Sequence, residues 1–174
     1  MALTYKAIGT HTIGTATNII EFTNISADYT DLLIKFSLRT TENAVFTDQG
    51  FRVTFNSNTT GYYNVLLYGI GNAAGTAKNS NQDHLRWVYG NSDTAVASAF
   101  GSGEMYIPNY SGSQKKSTNS YSVSETNSAT TPVMATAAGF WDNAAAITSV
   151  KFTTNTGNFK QYSTVMVYGI KNTV

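Results

Sequence analysis

Two histidines, His11 and His84, are the side chains of this sequence best suited to acid–base chemistry near neutral pH. A nucleophile would need such a base beside it and a carboxylate to orient the base, yet no Gly-x-Ser-x-Gly elbow is present. Asp83 directly precedes His84, and neighbouring residues of a strand point to opposite faces. We therefore expect Asp83 and His84 not to pair, His84 to be a surface or loop residue, and the chain to have no catalytic residue.

The carboxylates are the next group that could carry chemistry, as a glycosidase pair or as metal ligands. Those that cluster near a strand segment are Asp28, Asp31, Glu42, Asp48, Asp83 and Asp93. None of them stands in the alternating pattern of a calcium loop, and solvated loop positions are the simpler interpretation. The absence of cysteine excludes disulfides, thiol catalysis and Cys-based zinc sites. We predict no metal and no cofactor.

A glycine-rich segment, Gly69-Ile70-Gly71-Asn72-Ala73-Ala74-Gly75, has a spacing found in dinucleotide-binding loops. Such a loop needs a helix after it, because the helix N-terminus holds the pyrophosphate. The residues that follow here, 76–82, have no apolar helical face. We predict a flexible loop instead.

Aromatic side chains are the one abundant class with binding potential. Tyr62-Tyr63-Asn64 and the segment around Trp87 combine rings that stack on sugars with amides that bind hydroxyls. Tyr62, Tyr63 and Trp87 are therefore the candidate glycan-binding residues. The competing interpretation is that Trp87 and Trp141 anchor a core or an interface, since aromatic residues dominate burial.

Composition limits the class of partner. Charged residues make up 12% of the chain, the net charge is +1, and Ser, Thr and Asn make up about a third of the residues. The basic residues are scattered, so we expect no nucleic acid as a partner. The apolar stretches are too short to cross a membrane, and no secretory signal is visible. A surface poor in charge suits assembly with other protein subunits.

Alternation with a period of two predicts strands along most of the chain. It is clearest over 32–39 and 51–55, and 119–124 and 149–153 continue it. The segments 18–23, 85–89, 104–107 and 133–137 are shorter candidates. Two segments that are apolar on both faces, 62–70 and 162–170, predict central strands, and the loops at 56–61 and 155–158 predict hairpins. We predict an all-β fold, a single two-sheet antiparallel β-sandwich that is jelly-roll-like.

Four stretches carry a recognisable pattern. They are Ile20-Glu21-Phe22-Thr23-Asn24-Ile25 with Tyr29-Thr30-Asp31-Leu32-Leu33-Ile34, Phe100-Gly101-Ser102-Gly103-Glu104-Met105-Tyr106-Ile107-Pro108-Asn109-Tyr110, Ala138-Gly139-Phe140-Trp141 leading to Ala146-Ile147-Thr148-Ser149-Val150, and Gly157-Asn158-Phe159 through to Tyr168-Gly169-Ile170. Together they resemble a module of tailed-bacteriophage virion proteins, common in phages of aquatic bacteria. That module occurs in tail-fibre chains and in small capsid-surface proteins. The resemblance covers roughly residues 18–172 and includes no catalytic residue.

The resemblance implies a non-enzymatic structural protein of the virion. Because it covers nearly the whole sequence, we expect a capsid decoration (cement) protein, made in the host cytoplasm and bound to the capsid surface. The implied partners are the major capsid protein and other copies of the chain, as a homotrimer. We expect residues 1–17 to form an extended N-terminal arm that adds a strand to a partner's sheet, and residues 18–174 to form the β-sandwich domain. The alternative is a tail-fibre or receptor-binding module that recognises a host surface glycan.

Overall fold

The computed structural model describes residues 4–45, 51–86, 89–126 and 132–171, and their regular structure is β-strand. The strands in chain order are β1 (Thr4–Thr12), β2 (Ile19–Phe22), β3 (Asp31–Leu38), β4 (Phe51–Phe55), β5 (Tyr62–Ile70), β6 (Ala73–Gln82), β7 (Leu85–Arg86), β8 (Gly101–Ile107), β9 (Lys116–Ser124), β10 (Val133–Trp141), β11 (Val150–Thr154) and β12 (Thr164–Lys171). The strands within each sheet are paired antiparallel. The predicted all-β class is confirmed.

Two sheets enclose one hydrophobic core. The larger sheet has eight strands in the order β1-β12-β3-β8-β9-β10-β5-β6, and the smaller has four in the order β2-β11-β4-β7. The rings of Phe55 on the smaller sheet and Trp141 on the larger sheet pack with their centroids 5.5 Å apart. The predicted two-sheet antiparallel sandwich is confirmed, and the jelly-roll connectivity stays a prediction.

The clearest alternating segments form strands with one buried face. In β4, Phe51, Val53 and Phe55 are buried while Arg52 and Thr54 are half-buried on the other face. Such strands contribute every second side chain to the core, which is why the period-two pattern located them.

Small residues on the inner face of β8–β10 make room for large side chains of the core. A Cβ on Gly103 would lie 2.6 Å from Cζ of Phe36 and 2.2 Å from the carbonyl oxygen of Tyr121. A Cβ on Gly139 would lie 2.4 Å from Oγ1 of Thr118 and 3.0 Å from a methyl group of Leu85. Close packing therefore leaves no room for a side chain at Gly103 and Gly139, while Met105 and Trp141 fill other inner positions of these strands.

The loops at 56–61 and 155–158 are not the hairpins that the sequence predicted. Each connects a strand of the smaller sheet to a strand of the larger sheet, β4 to β5 and β11 to β12. The turn residues Asn56, Gly61 and Gly157 do adopt the expected positive φ, at 52°, 80° and 68°. Turn chemistry identified where the chain reverses, but strand pairing is decided by packing between distant segments.

The loop expected for the glycine-rich segment 69–75 is also a correction, because only Gly71 and Asn72 form a turn there, between β5 and the ten-residue edge strand β6. Its residues pair with β5 from Gln82 opposite Tyr62 to Ala73 opposite Ile70. Most of its side chains are exposed, so it has no buried face and no alternating pattern to reveal it.

The segment expected to form an extended N-terminal arm, residues 1–17, contains a strand of the larger sheet. Residues 4–12 are the edge strand β1, paired antiparallel with β12 from Thr4 opposite Lys171 to Thr12 opposite Thr164. A Cβ on Gly9 would lie 2.6 Å from the ring of Phe22, so β1 packs directly against the smaller sheet. The described part of this segment belongs to the sandwich.

Candidate interaction surface

The outer face of the larger sheet exposes a group of apolar side chains. They are Val65, Leu67, Tyr121, Val123 and Met134, which we call the outer patch, with 43–60% of each exposed. They come from the adjacent strands β5, β10 and β9, where Thr136 lies between Leu67 and Tyr121, and Met134 pairs with Val123. Part of this group surrounds a shallow depression of about 610 Å³.

Strand β9 faces the opposite way from the expected one. Alternation predicted a core face with Tyr121 and Val123, but Ser120, Ser122 and Ser124 are buried instead. The reason is steric, because Ser122 lies opposite Gly103, where the ring of Phe36 leaves no room even for a Cβ. The bulky residues are left to the outer face.

Strand β5 shows the same departure from expectation. Its two apolar faces predicted a central strand, yet it lies next to the sheet edge, between β10 and β6. Its inner face buries Tyr62 and Leu66, while Val65 and Leu67 on the outer face are 46% and 53% exposed. The second apolar face is therefore a surface feature.

The outer patch contains no charged side chain, and charged residues lie at its border. Glu104 on β8 is the register partner of Tyr121 and forms an ion pair with Lys35 at 3.3 Å. Lys78 on β6 is the register partner of Val65. Contiguous apolar surface on a soluble protein is typical of a binding site, and interface cores are depleted in charge. The outer patch has both properties.

Of the three candidate glycan-binding residues, the two that the structure describes, Tyr62 and Tyr63, lie on opposite faces of β5. Tyr62 is fully buried, its ring lies parallel to that of Trp141 at 5.9 Å, and burial raises the pKa of its hydroxyl to about 12. Tyr63 points to the other face of β5, half-buried and 6.1 Å from the ring of Phe140. Trp87 lies outside the described residues. Tyr62 is thus a core residue, unavailable for stacking on a sugar.

Asp83 and His84 do form a pair, contrary to expectation. The Nδ1 atom of His84 and Oδ1 of Asp83 are 2.5 Å apart. Both residues lie in the bend between β6 and β7, where strand alternation does not apply. Burial of the ring lowers the pKa of His84, and the hydrogen bond from His84 lowers the pKa of Asp83.

The other candidate carboxylates that the structure describes support local structure. Asp31 accepts hydrogen bonds from the hydroxyl of Tyr106 at 2.7 Å and from the backbone N–H of Asn109 at 2.9 Å. Burial, reinforced by Asp31, raises the pKa of Tyr106 to about 12. Within the described ranges no group of three or more His, Cys, Asp or Glu side chains is placed to hold a metal ion.

Comparison with protein-family models, with curated proteins and with solved structures gives no match for this chain. In the part of the chain that the structure covers, no helix is long and apolar enough to span a membrane. The function is therefore argued from the surface itself. The sequence signal that could have located the outer patch is the run of small residues at alternate positions of β9, which marks the face that must be internal.

Proposed function

We propose that this chain is a non-enzymatic structural protein of a bacteriophage virion, a decoration (cement) protein that binds the major capsid protein on the outer shell. The observation that carries the proposal is the outer patch, a contiguous apolar surface on the face of a broad sheet, with charged side chains at its border and none within it. A flat, rigid sheet face of this kind suits contact with a neighbouring subunit. The sequence resemblance to capsid-surface proteins supplies the identity of the partner.

Docking is assigned to the outer patch rather than to the N-terminal segment. Strand β1 already pairs with β12 of its own chain over eight positions, so it is part of this chain's sheet and not a free arm. The outer patch offers a larger apolar area than this edge strand. Self-association as a homotrimer on the capsid belongs to the same proposal.

A cement protein stabilises the assembled shell by binding to it, and mass action sets the size of the effect. A molecule that binds the assembled shell and not its free subunits stabilises the shell by RT ln(1 + [L]/Kd), about 2.7 kcal/mol when its concentration is 100 times Kd. Apolar burial contributes about 25 cal/mol per Å² removed from water. The five side chains of the outer patch are the part of this face that gains most from burial.

The decisive experiment is cryo-electron microscopy of phage particles that carry the chain, together with co-sedimentation of the purified chain with undecorated capsids. We expect symmetric density over the shell, with the outer patch at the contact. The variant Met134→Lys, at a side chain 60% exposed, should reduce capsid binding at least about tenfold without loss of folding. Thr54→Lys, on the outer face of the smaller sheet, is the matched control and should bind normally.

Two outcomes would overturn the proposal. Density only at the tail, with saturable binding to host surface polysaccharide, would establish the tail-fibre or receptor-binding alternative. Normal capsid binding by Met134→Lys would show that the outer patch is not the docking surface.

A further inference from the structure

The outer face of the smaller sheet places two arginines directly opposite each other. Arg52 on β4 and Arg86 on β7 are register partners. The third arginine of the chain, Arg39, has a structural role, because its buried guanidinium donates to backbone carbonyls of the loop after β7, including Ala95 at 2.9 Å and Ala99 at 2.9 Å. Arg52 and Arg86 have no comparable set of acceptors.

Each of the two guanidiniums is held at one end by a neutral side chain. Nη2 of Arg52 donates to Oδ1 of Asn155. Nη2 of Arg86 donates to the hydroxyl of Tyr89 at 3.1 Å, and its guanidinium lies 5.7 Å from the centre of that ring. These contacts fix the direction of both side chains and leave their remaining N–H groups for another acceptor.

The remaining N–H groups are not satisfied by the described part of the protein. The Nε atoms of Arg52 and Arg86 are both buried and have no hydrogen-bond partner among the described residues. Within those residues neither arginine forms an ion pair, whereas Lys151 on the same face is 3.8 Å from Glu21. The positive charge of Arg52 contributes to the lowered pKa of the nearby Asp83, but the Oδ1 atom of this carboxylate is already hydrogen-bonded to His84.

This arrangement is costly without a ligand. Like charges directly opposite each other on adjacent strands destabilise a sheet, and a buried N–H without an acceptor costs further free energy. Burial is the main cause of the lowered pKa of His84. The positive charges of Arg52 and Arg86 lower it further, so His84 lies close to both arginines. A bound oxyanion would offset the like-charge repulsion between the arginines and their positive potential at His84.

We propose that Arg52 and Arg86, with His84 beside them, form a binding site for an oxyanion of the carboxylate or phosphate type. The guanidinium group presents parallel N–H donors that match the oxygens of either group, which a single lysine does not. The inference does not rest on the proposed capsid role. It assigns this face a ligand, while the outer patch lies on the other sheet.

The test uses the isotope-labelled full chain in a buffer without phosphate or carboxylate. Inorganic phosphate and glucuronate are titrated separately, and binding is followed by NMR signals of the His84 ring and by calorimetry. We expect saturable binding and a rise in the pKa of His84, because the anion offsets the positive charge of the arginines. By linkage, binding should tighten as pH falls and His84 becomes protonated.

Three variants make the result specific. Arg52→Gln and Arg86→Gln should each weaken binding at least about tenfold, the loss expected for one charge-assisted contact. Lys151→Gln, on the same outer face, is the matched control and should change the affinity by less than about twofold. Circular dichroism and urea unfolding of all three verify that the sheet is intact, and either arginine variant suffices if the other does not fold.

The outcomes distinguish the source of the oxyanion. Binding of glucuronate alone would indicate a carboxylate ligand such as an acidic sugar, and binding of phosphate alone would indicate a phosphate group. Absence of saturable binding by both probes, or affinities unchanged in Arg52→Gln and Arg86→Gln, would overturn the proposal. Neither result bears on capsid binding through the outer patch.

Discussion

The backbone N–H of Phe55 on the smaller sheet donates a hydrogen bond to the hydroxyl of Tyr62 on the larger sheet, at 2.8 Å. Within the described residues, strand β7 pairs with β4 at Arg52 and Val53, and the tyrosine satisfies an N–H beyond the Val53 end of that pairing. The two residues are separated by the loop that connects the two sheets. One side chain therefore fixes the distance between the sheets at this corner and completes their hydrogen bonding.

Tyr62→Phe tests this role. The substitution preserves the ring and leaves the N–H of Phe55 buried without its acceptor, which should lower the free energy of unfolding by about 1–3 kcal/mol. Urea unfolding followed by tryptophan fluorescence gives the value. Tyr63→Phe, on the opposite face of β5, should change it by less than about 0.5 kcal/mol. Equal stability of Tyr62→Phe and the native chain would show that the hydrogen bond contributes nothing.

Sequence patterning predicted the fold class and the strands that have one apolar face. Strand β4 illustrates why, since Phe51, Val53 and Phe55 are buried and the residues between them are not. The strands β1 and β6 were missed because they lie at the two edges of the larger sheet and have largely exposed side chains. Backbone hydrogen bonds to β12 hold β1 in the sheet, and those to β5 hold β6. Because every residue type can form such bonds, they leave no pattern in the sequence.

The surface features were less accessible to sequence reasoning than the core. Alternation in β9 identified two faces, but the apolar one that it assigned to the core is the outer one. That choice depends on Phe36, which occupies the space over Gly103 and excludes larger neighbours from the inner face. The opposition of Arg52 and Arg86 depends on the register between β4 and β7, which no local pattern specifies.

Ser122→Ala tests the inverted orientation of β9. The hydroxyl of Ser122 is buried and without a partner in the described structure, between Gly103 and Ala135 on the neighbouring strands. Removal of an unsatisfied buried hydroxyl should leave the free energy of unfolding unchanged or raise it by up to about 1 kcal/mol. Differential scanning calorimetry and urea unfolding measure the change.

Ser163→Ala is the matched substitution with the opposite expected sign. Its buried hydroxyl accepts from the backbone N–H of Arg39 at 3.1 Å and donates to the carbonyl of Arg39 at 3.0 Å. Loss of this hydroxyl leaves the backbone N–H of Arg39 without a partner, while the carbonyl keeps its bond from the N–H of Lys160 at 2.8 Å, and should cost about 1–3 kcal/mol. A larger loss in Ser122→Ala than in Ser163→Ala would contradict the assigned inner face of β9.

The His84 ring should make stability depend on pH in a defined window. Burial holds the pKa of His84 in the folded chain below its ordinary value of 6.5. As the pH falls through 6.5, the unfolded chain therefore takes up a proton before the folded chain does, and the free energy of unfolding decreases. The stabilising effect is present above that pH and is lost on acidification. The opposite slope would mean that the folded state favours the charged ring.

Urea unfolding between about pH 7.5 and about pH 5.5, in a buffer without phosphate, measures this slope. His84→Gln should abolish the part of the slope that belongs to this ring, whereas His11→Gln, on the exposed edge strand β1, should leave it in place. Asp83 does not confuse the result, because its pKa lies below 3.8 and its own contribution to stability is lost only at lower pH. An unchanged slope in His84→Gln would show that other groups cause the pH dependence. The predicted contribution of the buried His84 ring would then be wrong.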